Sequence, residues 1–208
     1  IPPTYNEPGV VVTSFIDPMA YPADQDEFPG ECAMQIVIQP SNNYIVAAGW
    51  VQETGSPPPL ETKLALARYD TWGVLDTSFG VNGMVVVDIC ANALSYFRAT
   101  SVALDKYEKI LVGGFGDHWI GGLSGEASWV LARYNKDGSL DESFGPNNTG
   151  IIITDISNNE TLCYISDLVA DNTNEKIYAV GYSQTSEQLT IVKYDMPCQK
   201  PIHTNIDN

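Results

Sequence analysis

Positive charge is what this sequence has least of. Ten lysines and arginines stand against 26 aspartates and glutamates, a formal net charge of −16 over 208 residues. A field of that sign repels nucleic acid and anionic lipid, so neither is expected as a partner. Histidine is nearly absent as well, at His118 and His203 alone. A Ser/His/Asp triad would need one of them beside an acid and a nucleophile that no motif marks. His118 is expected in a Gly113–Gly125 loop with Trp119, where Gly121-Gly122-Leu123-Ser124-Gly125 misses the spacing of a nucleophile elbow, and no enzyme is expected. No apolar run approaches the ~20 residues that cross a bilayer. No signal peptide is visible either, and Ile1-Pro2-Pro3 reads as a mature or trimmed start. No stretch keeps a helical apolar period for three turns, which leaves strands as the building element.

Cysteine is sparse, with Cys32, Cys90, Cys163 and Cys198 too far apart in sequence for a CxxC zinc knuckle. An even count in an acidic, Lys-poor chain points to two disulfides and an oxidising compartment, with four buried free thiols as the alternative. Cys32–Cys90 and Cys163–Cys198 are the expected pairs, although four cysteines allow other pairings and spacing does not choose. Asn147-Asn148-Thr149 and Asn159-Glu160-Thr161 fit the glycosylation sequon at Asn147 and Asn159. Together these features favour an extracellular or cell-surface protein.

What the chain does have is a phrase written twice. LARYDTWGVLDTSFG at 66–80 recurs 65 residues later as LARYNKDGSLDESFG at 131–145, and a worn copy, Ile191-Val192-Lys193-Tyr194-Asp195, follows. A period of that size signals a repeat architecture. Around each phrase lie short β-branched segments fenced by Gly, Asn, Asp or Pro. Four strand types recur. Type A is Ala33–Gln39, Thr100–Leu104 and Ile165–Ala170, and type B is Tyr44–Trp50, Ile110–Phe115 and Ile177–Tyr182. Type C is Thr62–Tyr69, Ser128–Tyr134 and Leu189–Tyr194, and type D is Val10–Phe15, Met84–Ile89 and Ile151–Asp155.

Short A–B and C–D turns make each unit a four-stranded antiparallel meander, the form of a propeller blade. The fold expected is all-β: three such units, β-propeller-like, closed or completed by the N-terminal strand. The divisions are an arm and orphan strand at 1–15, unit 1 at 16–89, unit 2 at 90–155, an incomplete unit 3 at 156–195 and a tail at 196–208. The order begins with an unattached D strand and ends with a unit that lacks one. Val10, Val11, Val12, Thr13, Ser14 and Phe15 are therefore the expected assembly strand, completing the last unit of their own or a second chain.

The second phrase, RYNKDGSLDESFG, followed by Gly150-Ile151-Ile152-Ile153-Thr154 and preceded by Val102–Asp105 and Lys109–Gly114, resembles the delta-sixty repeat of secreted bacterial proteins. The resemblance covers roughly residues 33–195. It implies propeller-like β modules of surface or secreted proteins, and it implies no catalytic residues.

Within the phrase, Asp76 and Asp141 read as turn-closing carboxylates in preference to calcium ligands, each helped by the following serine. Phe79 and Phe144 are expected to plug the space between units. Arg68 and Arg133 are expected to pair with a turn carboxylate or to stack on an aromatic ring. Asp24, Asp26, Glu27 and Glu31 form the densest acid cluster, which has no EF-hand pattern and reads as a solvated loop. No metal or cofactor is expected. Asp117, His118 and Trp119, with Trp50 and Tyr182, supply the second reading, a glycan- or cation-binding propeller lectin whose platforms are these aromatics. The first reading is a secreted, non-enzymatic structural protein that self-assembles by strand complementation into a fibre or surface layer. Its partner is another copy of itself.

Overall fold

The computed structural model describes residues 9–11, 13–15, 30–52, 62–89, 96–120, 123–156, 163–183 and 188–196. At 96, 117–120, 123–126 and 188 it describes the backbone alone. Among these residues, eleven strands form three antiparallel sheets. Sheet 1 is β1 (Glu31–Ile38), β2 (Ile45–Gln52), β3 (Thr62–Tyr69) and β4 (Met84–Val87), in that spatial order. Sheet 2 is β5 (Tyr96–Leu104), β6 (Ile110–Ile120), β7 (Leu123–Tyr134) and β8 (Ile151–Thr154). Sheet 3 holds β9 (Cys163–Asp171), β10 (Lys176–Ser183) and β11 (Gln188–Asp195), with β11 at its edge. The chain is all-β and built of propeller-like meanders, and the sheets are not closed into a ring by hydrogen bonds. A 3-10 turn lies at Pro146–Asn148, and among the described residues no helix is long and apolar enough to cross a membrane.

Alternation along each strand sends apolar side chains to both faces, and a sheet buries the face that meets a neighbour. One core lies between sheets 1 and 2, where Leu64, Leu66, Phe79 and Val85 meet Phe97, Val102, Val112 and Val130. The other lies between sheets 2 and 3, where Leu111, Trp129, Leu131 and Phe144 meet Ile165, Leu168, Ile177 and Tyr194. The sheets thus stack in chain order, and sheet 2 is covered on both faces.

Every A–B pair contains the same irregularity. The register slips between Ala33 and Gln35 on β1, between Ala99 and Ser101 on β5, and at Val180–Gly181 opposite β9. At each slip the B strand carries a glycine pressed against the bulged backbone. A Cβ on Gly49, Gly114 or Gly181 would lie 1.8, 2.1 or 2.0 Å from the carbonyl oxygen of Cys32, Arg98 or Tyr164. Only glycine allows the approach.

Two expectations need correction. The described residues of Val10–Phe15 form no strand and are not paired with β11; Val12 lies outside the described residues. The loop expected around His118 is a hairpin instead. Strand β6 runs on through Asp117, His118 and Trp119 to Ile120 and pairs with β7 across Gly121-Gly122.

Candidate functional site

The repeated phrase folds the same way both times. Strand β3 ends at Tyr69, the chain turns, and Leu75 bridges back to Tyr69; Leu140 does the same to Tyr134. The following aspartate then closes a tight turn. Asp76 Oδ1 accepts from the Ser78 amide at 3.1 Å and its hydroxyl at 2.7 Å, and Asp141 Oδ1 accepts from Ser143 at 3.2 and 2.6 Å. The other carboxylate oxygen faces the arginine. Arg68 Nε donates to Asp76 Oδ2 at 2.7 Å, and Arg133 Nε to Asp141 Oδ2 at 2.6 Å. Each guanidinium also lies over the turn's phenylalanine, at 4.7 Å for Phe79 and 4.6 Å for Phe144. Arginine makes both contacts at once because its charge sits on a flat plane with donors at the rim.

These turns are joints between sheets. Arg68 Nη1 donates to the Lys136 carbonyl of the next turn, and Gly80 N donates to the Asp137 carbonyl at 2.8 Å. Phe79 packs beneath Gly138, where a Cβ would lie 3.0 Å from the ring.

The second joint is more highly charged. Where unit 1 has Gln39 and Tyr44 near Arg68, unit 2 has Asp105 and Lys109 near Arg133. Lys109 Nζ donates to Asp141 Oδ2 at 2.7 Å, and Arg133 Nη1 lies 4.0 Å from Asp105 Oδ2. Burial opposes ionisation of Asp141, but the hydrogen bonds from Lys109 and Ser143 and the charge of Arg133 outweigh it and hold the carboxyl at about 2. Asp76 is held below the usual carboxylate range by a similar contest, burial against its Ser78 bonds and Arg68. These acids are neutralised and enclosed, an arrangement suited to holding sheets together. Among the described residues no group of three His, Cys, Asp or Glu side chains is placed to hold a metal ion.

The N-terminal segment lies across the face of sheet 1 that points away from sheet 2. Thr13 Oγ1 accepts from Tyr69 OH at 2.7 Å, and Glu31 Oε1 accepts from Ser14 Oγ and Phe15 N at 3.0 Å each. A Cβ on Gly73 would lie 2.8 Å from Val11 Cγ2. Val11, Thr13 and Phe15 roof a shallow cleft floored by Ala47, Ala65 and Ala67. At the far end of the molecule, Leu189 and Ile191 of β11 are exposed.

The remaining expected residues are dispersed. Cys32 and Cys163 carry free thiols, and their expected partners, Cys90 and Cys198, lie outside the described residues. Cys163 is buried in the second core, where burial and the nearby Asp155 push its thiol up to about 12, whereas Cys32 lies exposed on sheet 1. Asn147 is exposed with φ 57° in the 3-10 turn, and Asn159 is outside the described residues, as are Asp24, Asp26, Glu27 and His203. Glu31 lies in β1 rather than in the acidic loop. Trp50 is covered by the Arg98 guanidinium at 4.3 Å, and Tyr182 packs on Tyr164 at 5.8 Å between centroids. The side chains of Asp117, His118 and Trp119 lie outside the described set.

Sequence reasoning missed two devices, the glycine under each bulge and the tyrosine hydroxyl that reaches a threonine in the neighbouring D segment. The second has a copy: Thr154 Oγ1 of β8 lies 2.9 Å from Tyr194 OH. Tyr134 holds the same position in the second copy of the phrase, but its hydroxyl is buried without a hydrogen-bond partner, and the D-type residue equivalent to Thr13 and Thr154 is there Val87, so the repeat alone does not announce the contact.

No curated protein matches the chain. The model of a family described as a domain of unknown function (DUF5122) with a beta-propeller fold matches residues 109–144, from Lys109 through Arg133 to Phe144. That stretch spans β6, β7 and the second turn, and the repeats of this chain are of the β-propeller type that family represents.

Proposed function

We propose that the chain is a non-enzymatic structural module that self-associates by strand complementation in an extracellular or cell-surface setting, as part of a fibre or layer, and that its repeats are of the delta-sixty kind. The observation that carries this reading is the missing strand. Sheets 1 and 2 each have a D strand, β4 and β8, whereas among the described residues sheet 3 has no strand beyond β11. A sequence of D type, Val10–Phe15, stands at the other end of the chain and is not spent on β11. An open edge with exposed Leu189 and Ile191 is a template for strand addition. The extracellular setting draws on the exposed Asn147 sequon and on the family resemblance.

The lectin reading draws less support, because Trp50 and Tyr182 are engaged in packing. Sedimentation of the full chain and of a chain lacking residues 1–15 tests the proposal. The full chain is expected as a species of two or more copies and the truncated chain as a single copy. Equal assembly of the two would overturn strand complementation.

A further inference from the structure

The repeat supplies a direct measure of what each sheet face is built to meet. Ile36, Val102 and Leu168 occupy one repeat position, on the face each sheet turns toward its predecessor. Val102 and Leu168 are 2% and 5% exposed beneath that predecessor, whereas Ile36 is 58% exposed. Leu66, Leu131 and Ile191 occupy another position, on the face turned toward the successor. The first two are fully buried and Ile191 is 63% exposed. Leu189 and Tyr178 are likewise open where Trp129 and Leu111 are buried. Among the described residues, therefore, the front face of sheet 1 is unmet, and so is the back face of sheet 3, which is of the complementary kind.

The N-terminal segment marks what belongs in front. Thr13 meets Tyr69 as Thr154 of β8 meets Tyr194 of sheet 3, hydroxyl to hydroxyl, at 2.7 and 2.9 Å. Val11 sits against Gly73 as Val85 of β4 sits against Gly138, each 2.8 Å from where a Cβ would be. Thr13 and Thr154 are equivalent in the D-type segments, and so are Val11 and Val85. Val11 and Thr13 thus stand where the fourth strand of a sheet preceding sheet 1 would stand. Among the described residues no further strand of such a sheet lies beside them, and sheet 3 has strands one to three without a fourth.

We infer that a second copy of this chain seats its sheet 3 on the front face of sheet 1, so that the contact between consecutive sheets is repeated between molecules and the D-type segment of one copy completes the sheet of the other. The junction is heterologous, front to back, because the two faces differ in sequence. It buries Ile36 of one copy near Ile191 of the other. Lys193, the repeat equivalent of Arg68, then comes to the Asp70–Gly73 turn, as Arg68 comes to the turn of the next unit. Two copies joined at both ends make six blades, within the usual range for closed propellers of about four to eight.

This inference rests on the self-association proposed above and adds to it which faces meet. Ile36→Lys and Ile191→Lys separate the two. Both side chains are exposed in the single chain, so each variant is expected to keep the fold, and each is expected to weaken association by on the order of 100-fold by placing a charge in the junction. Mixed in equal amounts they are expected to recover a two-chain species in sedimentation or light scattering, since one brings an intact back face and the other an intact front face. That recovery also proves both variants folded. A wild-type chain that remains single would overturn both the inference and the self-association. A wild type that assembles while the variants do so equally well would overturn the inference alone. So would loss of assembly in Ile36→Lys only, the mark of a front-to-front contact, or a mixture that stays single.

Discussion

At the scale of the residue, the two joints show one design at two charge densities. Asp76 answers a single arginine, whereas Asp141 answers Arg133 and Lys109 together, with Asp105 close by. The consequence is a pH dependence that can be assigned to one carboxyl. Asp141 titrates at about 2 in the folded chain against 3.8 for an ordinary aspartate. A depressed folded value means the unfolded chain binds the proton first. The stabilisation is therefore complete above about pH 4 and is lost as pH falls toward 2, amounting to roughly 1–2 kcal/mol after allowance for solvent screening. Urea unfolding followed from about pH 5 to pH 2 is expected to show a steeper loss in the wild type than in Asp141→Asn. The variant itself is expected to be less stable at neutral pH, because Arg133 and Lys109 keep their charges without their partner. Parallel acid limbs would show that the carboxyl is not held by this pair.

At the scale of the element, the unit is the A–B hairpin with its bulge, and its weakest tolerance is for a methyl group. Gly114→Ala would force a Cβ to 2.1 Å from the Arg98 carbonyl, against backbone that cannot rotate away. The expected cost is about 2–4 kcal/mol, above that of an ordinary overpacked site, read as a lower midpoint in thermal or urea unfolding. The same change at Gly116, two residues on and outside the slip, serves as the contrast, and equal costs would argue against the bulge. This is also where the sequence was hardest to read. Strand types and order were legible from Val, Ile and Tyr in short fenced runs, because such runs have no other stable use in a chain without helical periodicity. The stretch from Gly113 to Gly125 reads as a loop that holds His118, yet β6 runs on to Ile120. The glycines mark bulge and close approach within a strand that continues, a distinction that depends on the partner strand and is invisible in a single segment. The D character of Val10–Phe15 was legible for the same reason as the other strands. That it would rest face-on against sheet 1 was not, since a sequence pattern gives a strand's faces and not which neighbour covers them. The setting of the cysteines was illegible on the same ground: an even count says nothing of Cys163 being sealed into a core.

At the scale of the whole molecule, attraction and repulsion between copies come from different parts of the chain, and salt tells them apart. The proposed junction is apolar at its centre, with Ile36, Ile38, Leu189 and Ile191 all exposed in the single chain. Each copy also carries a net charge of −16, which acts over the whole surface and opposes the approach of a like molecule. Added salt shortens the reach of that repulsion to about 10 Å at 0.1 M and leaves apolar contact intact or slightly strengthened. Raising sodium chloride from about 20 to about 300 mM is therefore expected to tighten self-association several-fold, measured as the concentration at which sedimentation shifts from one chain to two or more. An assembly joined through ion pairs, or through the acidic loops meeting a basic patch, would respond in the opposite sense and dissociate as salt rises. Weakening with salt would thus remove the stacked-sheet junction even if the chain proved to be an oligomer, because the force holding it together would then be of the wrong kind.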